Sequence, residues 1–287
     1  MSAGQHIGGR LAGKAGIVVG AGQSAGESAG ATVGNGRAAA LLFARAGARL
    51  LLVDRSEAAA QATAELLRAE GHEAHALAGD WTRPGDCEVF ADACLTRWGR
   101  IDLLHNNVGI LSREPEPSST TVEELERVMK VNLAGCVNAC QAVLPAMREQ
   151  GAGSIVNISS VAAVAATGQL AYALSKAALN GLGRELALLN ARHGVRVNTV
   201  SPGLMDTPMA IGHKSRVHAL DPALLRAQRD ALVPLAGGMG TGWDTAWASL
   251  YLHSDEARFV TGVVLPVDGG QSALVGGLLQ PAQAHPA

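Results

Sequence analysis

Seven short apolar runs, separated by longer stretches with apolar residues every three to four positions, limit what this chain can fold into. Arg49-Leu-Leu-Leu-Val-Asp54 is typical of the short runs, being continuously apolar rather than alternating. A strand reads that way when helices cover both of its faces, as inside a parallel sheet. Short runs that alternate with helical patterns mark repeated βαβ units. The spacing predicts strands near Gly16–Gly20, Arg49–Asp54, His75–Gly79, Ile101–Asn106, Ser154–Ser159, Val195–Ser201 and Val263–Val267. It predicts helices near Arg37–Ala46, Glu57–Glu70, Gly85–Trp98, Val122–Glu149, Leu170–Arg192 and Asp244–His253. No composition break or repeat marks a second domain, so one doubly wound α/β domain with a parallel sheet of about seven strands is expected over 15–272. Residues 1–14 are expected as a flexible leading segment and 273–287 as a tail.

A chain of 287 residues buries enough surface to need no disulfide or metal staple. Its four cysteines lack C-x₂-C spacing and no H-E-x-x-H occurs, so they read as reduced, buried thiols and no metal site is expected. The net charge of −2, without a run of Lys or Arg, argues against nucleic acid or a membrane surface as partner. No apolar run approaches the roughly 18 residues that span a bilayer. The Gly-rich start carries no apolar stretch of a secretory signal. A cytoplasmic protein acting on a small molecule is the expectation.

Glycine is in excess, 35 residues of 287 against about 7% in an average chain. Part of that excess follows the first strand. A helix N-terminus exposes backbone N–H groups and the positive end of its dipole, and glycine lets a phosphate approach them. Gly20-Ala21-Gly22 lies at the strand end, but the helical pattern begins only after Gly34-Asn35-Gly36. The acid that reads a ribose in a Rossmann-type fold lies about 20 residues past the loop. Asp54 is 18 residues beyond Gly36 and 34 beyond Gly20. The diphosphate of a dinucleotide is therefore placed on Gly34–Gly36, with Gly20 making the turn. A carboxylate at Asp54 accepts ribose hydroxyls and repels a 2′-phosphate, which favours NAD over NADP, and Arg55 partly offsets that repulsion. Residues 21–33 form an insertion; its G-x-S-x-G matches around Ser24 and Ser28 lack the strand and helix of a hydrolase elbow.

Tyr172 and Lys176, four apart in a helical stretch, share one face. A phenol normally titrates near 10, and an adjacent ammonium favours its ionised form. Ser160 ends the preceding strand and can reach the same oxygen. Together they can move a proton to or from a carbinol oxygen while hydride moves to a nicotinamide.

In these motifs the chain resembles the short-chain dehydrogenase/reductase family from about Gly16 to Gly270. The turn motif stands as Gly20…Gly34-Asn35-Gly36, the adenine-side acid as Asp80-Trp81, and the N-N-A-G strand end as Asn106-Asn107-Val108-Gly109. Asn198-Thr-Val-Ser-Pro202-Gly203, with Met205 and Thr207, is similar to the nicotinamide-side segment, and Val267-Asp-Gly-Gly270 to the usual ending. The resemblance implies that Tyr172 is the general acid/base, that Lys176 lowers its pKa and holds the nicotinamide ribose, that Ser160 orients the substrate oxygen, and that Asn132 supports a water relay. Met205 and Thr207 would face the carboxamide.

This sequence departs from that pattern in three places. Val19 replaces the usual Thr, about ten extra residues separate Gly22 from Gly34, and Ser160 is one residue closer to Tyr172 than is common. Ser159 restores the spacing, and it stays open as the alternative hydroxyl.

Helix 170–190 and the second half of 122–149 are apolar nearly all round, which predicts burial against another subunit. The resemblance implies the same, as a homodimer or homotetramer. The long connection 208–242 reads as a substrate loop or lid with a helix at Pro222–Asp230, in which His213 and His218 are solvated; Trp243 and Trp247 read as packing. The reading is an NAD-dependent oxidoreductase that interconverts a secondary alcohol and a ketone. Its alternatives are an NADP-preferring ketoreductase and a non-catalytic dinucleotide-binding regulator.

Overall fold

The computed structural model describes residues 8–23, 32–113, 117–213, 215 and 220–274. Seven strands form one all-parallel sheet: β1 (Ala15–Val19), β2 (Arg49–Asp54), β3 (Ala74–Ala78), β4 (Leu103–Asn106), β5 (Gly153–Ile158), β6 (Val195–Pro202) and β9 (Val264–Val267). The short strands β7 (Met205–Asp206) and β8 (Gly240–Thr241) pair separately. The sheet order is β3-β2-β1-β4-β5-β6-β9, so strand order reverses between β1 and β4. Ligands of open parallel sheets bind in the crevice outside the carboxyl ends of the strands at such a reversal.

Helices α1 (Asn35–Arg45), α2 (Glu57–Ala69), α3 (Pro84–Trp98), α4 (Val122–Met129), α5 (Gly135–Gln150), α6 (Leu170–Asn190), α7 (Pro222–Asp230) and α8 (Gly242–His253) complete the described elements. On one face Phe90 of α3, Val143 and Met147 of α5 and Leu179 of α6 pack on Ile17, Leu51 and Ile155. On the other, Phe43 of α1, Leu67 of α2 and Leu250 of α8 pack on Val18, Leu50 and Leu103. With both faces covered, β1 is buried at every position, and the continuous apolar runs have their explanation. Among the described residues no helix is long and apolar enough to cross a membrane.

Three expectations need correction. Residues 8–14 are not a loose leader: Leu11 is fully buried and its N–H donates to Ala46 O at 2.9 Å. Arg10 and Lys14 pair with Glu256 and Asp255, each at 2.5 Å. The expected helix over 122–149 is interrupted by a π-turn at Lys130–Ala134. The extra residue turns Asn132 inward, where its amide bonds both backbone groups of Ile110, at 2.8 and 3.0 Å. The outer side of α5 is also more polar than expected. Cys136, Cys140, Val143 and Met147 all point into the core, leaving Gln141, Arg148 and Glu149 outside.

Candidate active site

A cleft of about 980 Å³ opens at the strand reversal, across the carboxyl ends of β1, β4, β5 and β6. Gly20, with φ of +81°, turns the chain out of β1 into the left-handed region that glycine tolerates. Gly36 sits so close beneath that turn that a Cβ there would lie 1.9 Å from Gly20 O. Gly34 caps α1 without a side-chain bond of its own, so the first N–H groups of α1 face the cleft. Gln23 reaches back to accept from Gly34 N at 3.1 Å, tying the two ends of the insertion together. This cradle has the shape and the donors for a diphosphate. Ser24 and Ser28, in the middle of the insertion, lie outside the described residues.

Asp54 ends β2 at the rim of the cleft, beside Arg55. Its Oδ2 accepts from Gly22 N and its Oδ1 from Ser56 N, each at 3.0 Å. Gly22 thus steadies the Asp54 carboxylate, and its G-x-G spacing from Gly20 is the signal for it in the sequence. Asp80 borders the same end and accepts from Thr82 N and Oγ1 at 3.0 and 2.8 Å. Trp81 borders the cleft as well, with its ring packed in the core against Gly135. Asn107, Val108 and Gly109 line the floor, with Asn107 Nδ2 donating to Gly20 O at 3.2 Å. Pro202, Gly203, Met205 and Thr207 line the opposite wall.

Tyr172 and Lys176 point into the other end of this cleft from one face of α6. The Lys176 ammonium lies over the phenol ring, 5.7 Å from its centroid, and donates to Ile158 O at 2.8 Å. Burial pushes Lys176 down to about 8. Burial also pushes the Tyr172 phenol up, while its hydrogen bond with Ser160 pulls it back. Lys176 thus gives one N–H to a backbone carbonyl across the ring rather than to the phenol oxygen. Ser159 is turned the other way, donating to Lys176 O at 3.1 Å. Consecutive strand residues face opposite sides, so only Ser160 meets Tyr172.

Asn132 is the one expected site residue that does not line the cleft. It is fully buried behind Gly109, where a Cβ would lie 3.2 Å from Lys176 Nζ and 3.8 Å from Asn132 Oδ1. Asn132 Nδ2 also donates to Ser175 Oγ at 2.9 Å, and Ser175 donates to Tyr172 O at 2.7 Å. Ser175 was not foreseen; its place beside Lys176 was the only hint. The Trp243 ring packs under Arg45, 5.5 Å from the guanidinium. His218 lies outside the described residues, and His213 is described in its backbone only. The four cysteines are buried and unbonded, with Cys87 and Cys94 pushed up to about 12 by burial.

Comparison with known proteins places these features among relatives. The family described as enoyl-(acyl carrier protein) reductase matches residues 30–272. Levodione reductase of Leifsonia aquatica is 35% identical over 245 residues, covering 84% of this chain and 91% of that protein. The 2-(R)-hydroxypropyl-CoM dehydrogenase of Xanthobacter autotrophicus is 36% identical over 248 residues, covering 85% and 96%. A solved short-chain dehydrogenase/reductase from Burkholderia xenovorans superposes with a TM-score of 0.85 at 41% identity, covering 93% of this chain and 99% of that one.

Proposed function

The chain belongs to the short-chain dehydrogenase/reductase family and is an oxidoreductase; on that premise we propose that it interconverts a secondary alcohol and a ketone with NAD(H). The observation that carries this reading is the meeting of Tyr172, Ser160 and Lys176 in one open cleft, with the Lys176 ammonium over the phenol ring. When bound, the nicotinamide dinucleotide supplies or accepts the hydride. Tyr172 gives its phenolic proton to the carbonyl oxygen during reduction and takes it back during alcohol oxidation. Ser160 holds that oxygen beside the phenol. With a pKa of about 8, Lys176 is charged at neutral pH and close enough to deprotonation to pass a proton on. Asn132 is placed to support a water relay behind it, through Gly109.

Gly20, Gly34, Asn35 and Gly36 would receive the diphosphate, Asp54 the adenosine ribose, and Met205 and Thr207 the carboxamide side. Two relatives bear names of the same chemistry in its two directions, a reductase and an alcohol dehydrogenase. Tyr172→Phe tests the reading. It should lower kcat by about a thousand-fold or more, in the range of a lost acid/base, while NADH still binds with unchanged fluorescence response. Turnover within a few-fold of the parent would remove Tyr172 from the role. We also propose a homodimer or homotetramer built on α6, whose outer side carries Leu174, Leu188 and Leu189 exposed.

A further inference from the structure

Besides Arg55 and Lys176, the cleft is lined by the cations Arg113, Arg127, Lys130 and Arg229, and among the described residues its only lining carboxylates are Asp54 and Asp80 beside Arg55. That is a strong local bias in a chain whose net charge is −2. The carboxylates behind this wall are already committed. Glu124 accepts from Arg127 at 2.6 and 2.7 Å and from Arg113 N at 2.7 Å. Asp206 accepts from Arg226 Nε at 3.0 Å and from Thr32 Oγ1 at 3.4 Å. Asp230 accepts from Met239 N at 2.8 Å. Arg229, on α7, is half-buried; its Nε donates to the Met239 sulfur at 3.3 Å, and among the described residues no carboxylate makes a direct ion pair with it, although Asp206 and Asp230 lie near enough to favour its charged form.

A guanidinium that has lost part of its water, with no carboxylate in direct contact, keeps N–H groups free to receive an anion. Its planar fork matches the oxygens of a carboxylate, sulfonate or phosphate. Arg113 and Lys130 add an attractive field for an anion entering the cleft, whereas Arg127 is already balanced by Glu124. Resting on the alcohol–ketone reading above, we propose that the substrate carries a fixed negative charge, which Arg229 receives in the cleft that holds Tyr172. The substrate class is then hydroxy and oxo acids, or their sulfonate and phosphate counterparts, rather than neutral alcohols and ketones.

Acetoacetate and levulinate, each compared with its methyl ester, test this at constant carbonyl chemistry. Binding to the NADH complex is read from NADH fluorescence in the Tyr172→Phe background, so that turnover does not intrude. At least one acid should bind about ten-fold or more tightly than its ester. Arg229→Gln should abolish that preference and Arg229→Lys retain part of it, with NADH affinity unchanged in both. Esters held as tightly as acids, a preference that survives Arg229→Gln, or a loss confined to NADH affinity would each overturn the inference. Arg229-dependent binding of the acids in a protein that reduces neither compound upholds the charge recognition and defeats the proposed reaction. Equal reduction of acids and esters does the reverse.

Discussion

Asp54 is held by two backbone N–H groups, one from Gly22 and one from Ser56, and this fixes a carboxylate at the rim of the cleft beside Arg55. A 2′-phosphate brought to that rim meets a negative charge that cannot swing away, whereas ribose hydroxyls find an acceptor. Asp54→Ala should therefore change the ratio of kcat/KM for NADH to that for NADPH by about ten-fold or more toward NADPH, equivalent to about 1.4 kcal/mol. Both absolute values fall as well, since Gly22 loses its anchor. An unchanged ratio in paired initial-rate measurements would remove Asp54 from any role in choosing between the two. The same scale decides between the two serines. Ser159 spends its hydroxyl on the backbone of α6, and Ser160 keeps its own for the phenol.

At the level of elements, the π-turn at Lys130–Ala134 and helix α6 do different work. The π-turn breaks a helix that would otherwise run on, and in doing so sends one asparagine inward against Ile110 and Ser175. Helix α6 carries Tyr172 and Lys176 on its inner face and an apolar stripe on its outer one. Leu174, Gly181 and Leu188 recur at seven-residue spacing, with Leu188 77% exposed and open space where a Gly181 side chain would be. A leucine stripe with a glycine gap suits a second helix packed against it. Light scattering at micromolar concentration should give a dimer or tetramer, and the Leu174→Glu/Leu188→Glu pair should shift the mass toward the single chain. A monomeric parent would end the argument for this face.

For the molecule as a whole, the α1–α8 side of the sheet encloses two histidines that have no charged partner. His105 and His253 both lie edge-on to Phe43, with ring centres 5.2 and 5.1 Å away. Burial drives His105 down to about 3 and His253 well below its usual value. The unfolded chain takes up these protons near pH 6.5, and the folded one refuses them until far lower. For His105 the stability from this source is thus complete above about pH 6.5 and declines as pH falls toward 3, by about 1.4 kcal/mol per pH unit, and His253 acts in the same direction. Denaturant midpoints measured from pH 7.5 to pH 4.5 should fall along that course. His105→Leu should flatten the slope by about one histidine's share; an identical slope would show that other groups carry it.

Fold class, the order of strands and helices, and the Tyr172–Lys176 pair were legible from the chain alone, because each rests on local periodicity or on a spacing of a few residues. Asp54 was legible for the same reason, standing at a strand end a set distance past Gly36. What no local pattern encodes is where a side chain finds its partner. The π-turn at Asn132, the surrender of Lys176 to Ile158 O, the inward turn of Trp81 and the unpaired Arg229 all depend on segments far apart in sequence. Periodicity says which face of an element is apolar, but only packed neighbours decide which polar groups on it are satisfied, and that residue of unsatisfied groups is what a ligand meets.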